Sequence, residues 1–261
     1  MPPGLKRFSV LASSSKGNAT VICGGDTRLL VDTGISATRI RNGLKECGLS
    51  VPQLSALLFT HEHTDHVCGL GQLAKKDKLH IYCTRYMGQE LRYITDNASY
   101  TYIEPGSTVQ IGDIRVTPFS VHHDATDPVG YLFEYNGKKL GYVTDTGKIP
   151  HVMTELLQGV DALYLESNYD PQMLQNSGRP YYLIERIASN FGHLSNAQAC
   201  DFVRTIAHPR LQHVVLAHLS QDCNTPDTAF NCMQQTLNEL QLSTTLHCAP
   251  AATRLPWIHL A

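Results

Sequence analysis

No apolar run in this 261-residue chain comes near the ~20 residues that a membrane-spanning helix needs. The apolar stretch Phe8–Ala12 is too short for the core of a secretory signal. A soluble, cytoplasmic protein with no membrane partner is the expectation. An excess of cations is missing too. Lys and Arg number 21 against 23 Asp and Glu, a formal charge of −2, so the chain carries no general basic field for nucleic acid. The clusters Arg39/Arg41, Lys75/Lys76/Lys78 and Lys138/Lys139 read as solvated faces. The eight Cys form no C-x-x-C pair and no framework spacing, which argues against a disulfide scaffold and for buried thiols in a reducing compartment. Cys68, two residues past His66, could neighbour a metal or simply pack. Low-complexity tracts, fixed-period repeats and linkers are absent as well. At 42% hydrophobic and 17% charged residues the composition is that of a globular protein, and one domain over residues 1–261 is expected.

Against this plain background one stretch stands out. The apolar run Leu54–Phe59 reads as a short buried strand, and it stops at His61-Glu62-His63-Thr64-Asp65-His66. Side chains at every second position of an extended chain point the same way, so His61, His63 and Asp65 can converge, with His66 following as the chain turns. Imidazoles and carboxylates packed this densely repel or compete unless a cation organises them. The spacing differs from the helical H-E-x-x-H signature and suits a loop wrapped around one or two cations.

The rest of the chain supplies the frame. Strands are expected over 7–13, 19–24, 27–31 and 54–60, with a helix capped by Ser36 and running to about Glu46 and another at about 67–76. His80–Cys83, 109–111, 114–121, 131–135 and 139–143 read as further strands, and 86–94 as a helix. Beyond residue 150, helices at 150–158, 180–190, 195–207 and 226–240 alternate with strands at 162–165, 213–217 and 243–248. The fold class is therefore α/β, with two sheets packed face to face and helices outside. Six of the strand-like runs end in a polar residue able to bind a metal: Asp32, His61, His123, Asp145, Glu166 and His218. Rigid strands aim side chains well, so these ends, taken together, define a concentric site.

Asp32, His61-x-His63-x-Asp65-His66, His123, Asp145 and His218, in this order, resemble the metallo-β-lactamase superfamily. The resemblance covers about residues 8–220. It implies an αββα four-layer sandwich of two mixed sheets with a dinuclear site at one edge. Within the superfamily the chain resembles the YycJ/WalJ-type branch, on Ser13–Ala19, His123-Asp124-Ala125 with Asp127–Tyr131, Glu166–Asp170, Gly192–Asn196 and Leu216–Ser220. The first loop, with Ser14-Ser15-Lys16, is poorer in Gly than is usual there. Lys16 either helps hold a phosphate or is simply exposed, and the exposed reading is preferred.

Carried over position by position, the resemblance implies that His61, His63 and His123 hold one metal. Asp65, His66 and His218 would hold a second, and Asp145 would bridge the two. Zinc is the first choice for such nitrogen and oxygen ligands, with manganese or iron as alternatives. A hydroxide shared by the metals would be the nucleophile, oriented by Asp65. Asp32 would orient a ligand His or serve as a structural loop Asp, and His122, pointing the other way from His123, belongs to the core or to the outer support of the site. His193 is read as a catalytic acid with Glu166 fixing its ring, and Ser195 and Asn196, at a helix start, as phosphate contacts.

The activity implied is that of a metal-dependent phosphodiesterase, a DNA exonuclease running 5′–3′. The chain is too short for the extra nucleic-acid-gripping domain of the large superfamily nucleases, so DNA ends or short single strands are the expected substrate. The same site also suits carbonyl hydrolysis by a thioesterase, lactonase or β-lactamase, and a di-iron redox protein is a third class.

Overall fold

The computed structural model describes residues 7–95 and 97–261. Its first half contains strands β1 (Arg7–Ala12), β2 (Ala19–Gly24), β3 (Thr27–Val31), β4 (Ala56–Leu58), β5 (His80–Cys83) and β6 (Ser99–Tyr102). Helices α1 (Ala37–Glu46), α2 (Thr64–Val67), α3 (Leu70–Ala74) and α4 (Arg85–Arg92) lie between them. The second half contains β7 (Val109–Ile111), β8 (Ile114–Ser120), β9 (Val129–Tyr135), β10 (Lys138–Val143), β11 (Ala162–Glu166), β12 (His213–Ala217), β13 (Thr245–Cys248) and β14 (Ile258–His259). Its helices are α5 (His151–Leu156), α6 (Pro171–Gln175), α7 (Tyr181–Ala188), α8 (Asn196–Ile206) and α9 (Pro226–Glu239).

Connection length decides strand direction. Connections without a helix join β1, β2 and β3, and likewise β7 to β10, and these strands pair antiparallel. Wherever helices intervene, as from β3 to β6 and from β10 to β13, the strands pair parallel, because a parallel return needs a crossover. The results are two seven-stranded mixed sheets, ordered β14-β1-β2-β3-β4-β5-β6 and β13-β12-β11-β10-β9-β8-β7. β8 runs the same way as β10, since both are antiparallel to β9. The C-terminal ends of β8, β10, β11 and β12 therefore share one edge of their sheet, as those of β3 and β4 do in the other.

Period-two alternation sorts the core into layers. Tyr164, Val215, Tyr131 and Tyr142 join the cluster that contains Phe8, Val21, Leu29 and Leu57 of the first sheet. Their strand neighbours Leu163, Leu165, Val214 and Leu216 face the other way, against Met153 of α5, Phe202 of α8 and Met233 of α9. On the first sheet, Ile40 and Leu44 of α1 and Leu70 and Leu73 of α3 close the remaining face. The αββα sandwich expected from the sequence is what the chain adopts.

Some local expectations are corrected. The strand expected over 54–60 spans only Ala56–Leu58, and the helix expected over 67–76 is two short helices, the first starting inside the His motif. Gly69 interrupts them because its N–H bonds Thr33 O at 2.8 Å instead of continuing one helix. β6, β14 and α6 had no expected counterpart. Ser99-Tyr100-Thr101-Tyr102 shows no apolar alternation, and β14 is a two-residue pairing of Ile258 with the distant Phe8. Ser36 does cap α1, accepting from Arg39 N.

Candidate metal centre

Two Asp-Thr-Gly turns, one per sheet, build the floor of the site. Asp32 follows β3 and Asp145 follows β10, each in the left-handed region, with φ of 60° and 50°. His218, directly after β12, does the same at φ 53°. Such backbone is costly for a residue with a side chain and persists where the surroundings hold it. Gly34 shows how: a Cβ there would lie 1.6 Å from Asp65 O, so only glycine lets the first turn lie flat on the His motif. Three backbone bonds lock this contact: Thr33 N to His66 O at 2.7 Å, Asn18 N to Asp65 O at 2.9 Å, and Gly34 N to Asn18 O at 2.7 Å.

Asp32 is fully buried and its carboxylate accepts from Thr60 N and Thr60 Oγ1, both at 2.9 Å. It also lies 2.8 Å from His66 Nδ1. A carboxylate there fixes an N–H on Nδ1 and leaves Nε2 as the atom that faces inward. His66 Nε2 then meets Asp145 Oδ2 at 3.2 Å and Asp65 Oδ2 at 3.5 Å. The other Asp145 oxygen faces His218 Nδ1 at 3.4 Å, His193 Nδ1 at 3.5 Å and His123 Nε2 at 3.8 Å. Asp145 is thus central, its two oxygens together reaching imidazoles of both ligand groups.

On one side His61, His63 and His123 converge, and His63 Nδ1 lies 3.2 Å from His123 Nε2. On the other, Asp65, His66 and His218 converge, with Asp65 Oδ2 3.2 Å from His218 Nε2. His61 Nε2 is buried with no hydrogen-bond partner among the described residues, while its Nδ1 sits 3.1 Å from Thr60 Oγ1. An orphaned imidazole nitrogen among other imidazoles is costly unless a cation takes its lone pair. The donor set, nitrogen and carboxylate oxygen without thiolate, therefore fits divalent transition metals. Electrostatics agree. Burial pushes His61 well below its ordinary value and also lowers His123, so both are neutral donors. Burial also pushes on His218, but Asp145, Asp65 and Glu166 overrule it and lift the ring to about 10.

Beside this group, Glu166 is fully buried, with Oε2 held by Thr146 N at 3.0 Å and Leu194 N at 3.1 Å. Its Oε1 lies 2.7 Å from His193 Nδ1 and 3.0 Å from His218 Nδ1. The structure thus brings Asp32, Glu166 and His193 to the seven expected ligands. Ser195 and Asn196 stand apart. Ser195 Oγ accepts from Gln198 N in a capping box, and Asn196 is buried, bonded to Ser167 Oγ and Asn224. Neither side chain joins the ligand groups, and phosphate contact through them stays an expectation. His122 is half-buried, its ring edge-on to Phe191 with centroids 6.0 Å apart, and it joins none of the ligand groups, nor does the exposed Cys68. Three site residues were not singled out from sequence. These are Thr60, Asn18 (Nδ2 3.2 Å from His66 Nε2) and Asn168 (Nδ2 3.2 Å from His218 Nδ1). Their one signal is position: Thr60 precedes the motif, and the other two close polar loops flanking it.

Residues 27–219 match the family model described as Beta-lactamase superfamily domain. Exodeoxyribonuclease YycJ of Bacillus anthracis is 36% identical over 89% of this chain and 89% of its own length. Exodeoxyribonuclease WalJ of Streptococcus pneumoniae serotype 2 is 33% identical over 90% of each chain. Among solved structures, the metallo-beta-lactamase fold protein YhfI from Bacillus subtilis superposes with a TM-score of 0.74 at 15% identity, covering 96% of this chain and 99% of that one.

Proposed function

The chain belongs to the Beta-lactamase superfamily, as a metal-dependent hydrolase of the group that contains YycJ and WalJ, and we propose that it is an exodeoxyribonuclease with a dinuclear centre. His61, His63 and His123 would hold one ion, Asp65, His66 and His218 the other, with Asp145 shared between them. When bound, two such ions supply Lewis acidity and lower the pKa of water toward neutrality, and zinc is the metal we assign first.

The protein's own residues supply positioning and proton transfer. Asp65, half-buried, has its Oδ2 held by His218 Nε2 and faces the opening, where it can orient the attacking oxygen. His193 is 19% exposed and, with Nδ1 fixed by Glu166, presents Nε2 for the leaving oxygen. Such a dyad delivers a proton in the transition state. The His193–Glu166 pair beside the cluster is the observation that carries a phosphodiester reading, because a departing sugar oxygen needs that proton. The names of the two relatives support DNA as substrate, and we read the direction as 5′–3′ from the same resemblance.

A panel assay tests this. With zinc or manganese supplied, the protein should cleave bis(p-nitrophenyl) phosphate and cleave end-labelled single-stranded DNA faster, shortening it from the 5′ end. Hydrolysis of a thioester or a chromogenic β-lactam with no cleavage of any phosphodiester would sink the nuclease reading and leave the fold intact.

A further inference from the structure

Outside the ligand set, charged groups gather in a cleft that opens beside His193. The Ser15–Lys16 turn, α7 and the loop at 220–222 enclose about 250 Å³. That is just below the range of drug-sized ligand clefts, ~300–1,000 Å³, and suits a single nucleotide rather than a duplex. Its lining includes His193, Asn168, Lys16, Arg179, Arg186 and Asp222. Three cations against one carboxylate make the lining net positive in a chain whose formal charge is −2.

Cleft and metal centre share a wall. His193 belongs to both, and the Asn168 amide donates to Ser15 Oγ at 3.4 Å and to the His218 carbonyl at 2.8 Å. A group seated in the cleft therefore adjoins the reacting centre. The arginines rest on surface acids, Arg179 on Asp222 at 2.8 Å and Arg186 on Asp124 at 2.6 Å. Exposed pairs of this kind are weak, so a phosphate can replace the carboxylate. Lys16 is exposed and makes no ion pair among the described residues. One turn before Arg186, and on the same face of α7, Tyr182 is 73% exposed. A cationic groove with an exposed aromatic ring one helical turn from its lining is the combination by which single strands are gripped without sequence preference.

We propose that this cleft holds a phosphate of the DNA strand adjoining the scissile one, with Lys16 and Arg179 as its cationic contacts. The proposal rests on the nuclease reading above and assigns that reading its strand-binding residues. It also replaces the reading of Lys16 as merely exposed.

The test uses the metal-loaded full chain and a 3′-labelled single strand with cleavage-resistant phosphorothioate linkages, followed by fluorescence anisotropy from about 50 to 200 mM salt. Lys16→Ala and Arg179→Ala should each weaken binding and shrink the salt slope by about 0.7, the value of one single-strand phosphate contact. For cleavable DNA, each should raise KM at least tenfold more than it raises KM for bis(p-nitrophenyl) phosphate. Asp222→Asn removes the competing carboxylate and should tighten binding, a change in the direction opposite to that of misfolding. Loss confined to 5′-phosphorylated strands would support the proposal with a terminal monoester as occupant, and equal loss with 5′-hydroxyl strands would support it with an internal diester. If wild-type protein cleaves DNA, yet the Lys16 and Arg179 variants keep their slopes and Asp222→Asn gains nothing, the proposal is overturned. Wild-type protein that cleaves no oligonucleotide overturns the nuclease reading itself, and this inference with it.

Discussion

Replacing Asp32 by Asn separates what a buried carboxylate does for the site from what its shape does for the fold. Asp32 takes three hydrogen bonds, from Thr60 N and Thr60 Oγ1 at 2.9 Å and from His66 Nδ1 at 2.8 Å. Asn can keep the first through its oxygen and the second by donating to the Thr60 hydroxyl. It cannot keep the third, because an amide N–H would face the imidazole N–H. Either that buried donor stays unpaired, at about 1–3 kcal/mol, or the ring moves its proton to Nε2 and loses the lone pair aimed at Asp65 and Asp145. Loss of such an orienting partner typically costs about 10- to 100-fold in metal affinity, which is about 1.4–2.8 kcal/mol. The two costs are similar in size, so both readouts should move. Urea unfolding with chelator present should show about 1–3 kcal/mol less stability, and zinc competition against a chromogenic chelator should show the affinity loss. Asp32→Ala removes all three contacts and strands Thr60 N, about 1–3 kcal/mol, while Thr60 Oγ1 keeps His61 Nδ1 at 3.1 Å and His66 Nδ1 at 3.2 Å, so it should lose at least as much stability as Asp32→Asn. An Asn variant that binds zinc as tightly as wild type at unchanged stability would refute the claim that Asp32 orients His66.

Freshly purified, chelator-free protein should hold close to two transition-metal ions per chain by elemental analysis, and Asp145→Ala, which removes both central oxygens, should lose most of them. One ion or none in the wild type would count heavily against a dinuclear centre. His193→Ala should keep metals and fold but lose about 10²–10⁴ in turnover of DNA. Near wild-type turnover at full metal content would make His193 structural and move the proton source elsewhere.

The strand ends were legible in the sequence because burial and chemistry change abruptly there. Val31 to Asp32, Val143 to Asp145 and Ala217 to His218 each pass from a buried apolar run to a polar residue, and the chain order of these ends fits one edge of two sheets. Glu166, the last residue of β11, was found the same way. What the sequence hid depends on contacts distant along the chain. β14 exists through its pairing with β1, some 250 residues earlier. Asn18 and Asn168 matter because loops far apart in sequence bring their amides to His66 and His218. Ser195 was legible for a local reason: it caps α8, its Oγ accepting from Gln198 N, three residues on, in a capping box.

Charge explains why so dense a motif can be buried at all. Asp32, Asp65, Asp145 and Glu166 carry four formal negative charges, and three of the four are buried almost completely. Burial alone would push carboxyls up, yet Asp65, Asp145 and Glu166 all lie below the usual range, because His218, His66 and His193 face them. The reciprocal effect lifts His66 well above its ordinary value against the pull of burial. The centre of the site therefore favours positive charge at the position where His66, His218 and the carboxylates meet. His61 and His123, pushed down by burial, present neutral lone pairs to the same space. A field that attracts cations, combined with uncharged nitrogen donors and an orphaned His61 Nε2, is what a divalent ion requires of a protein. Two such ions would match the four negative charges, so the carboxylates that make the cluster costly as a set of side chains make it selective as a metal centre.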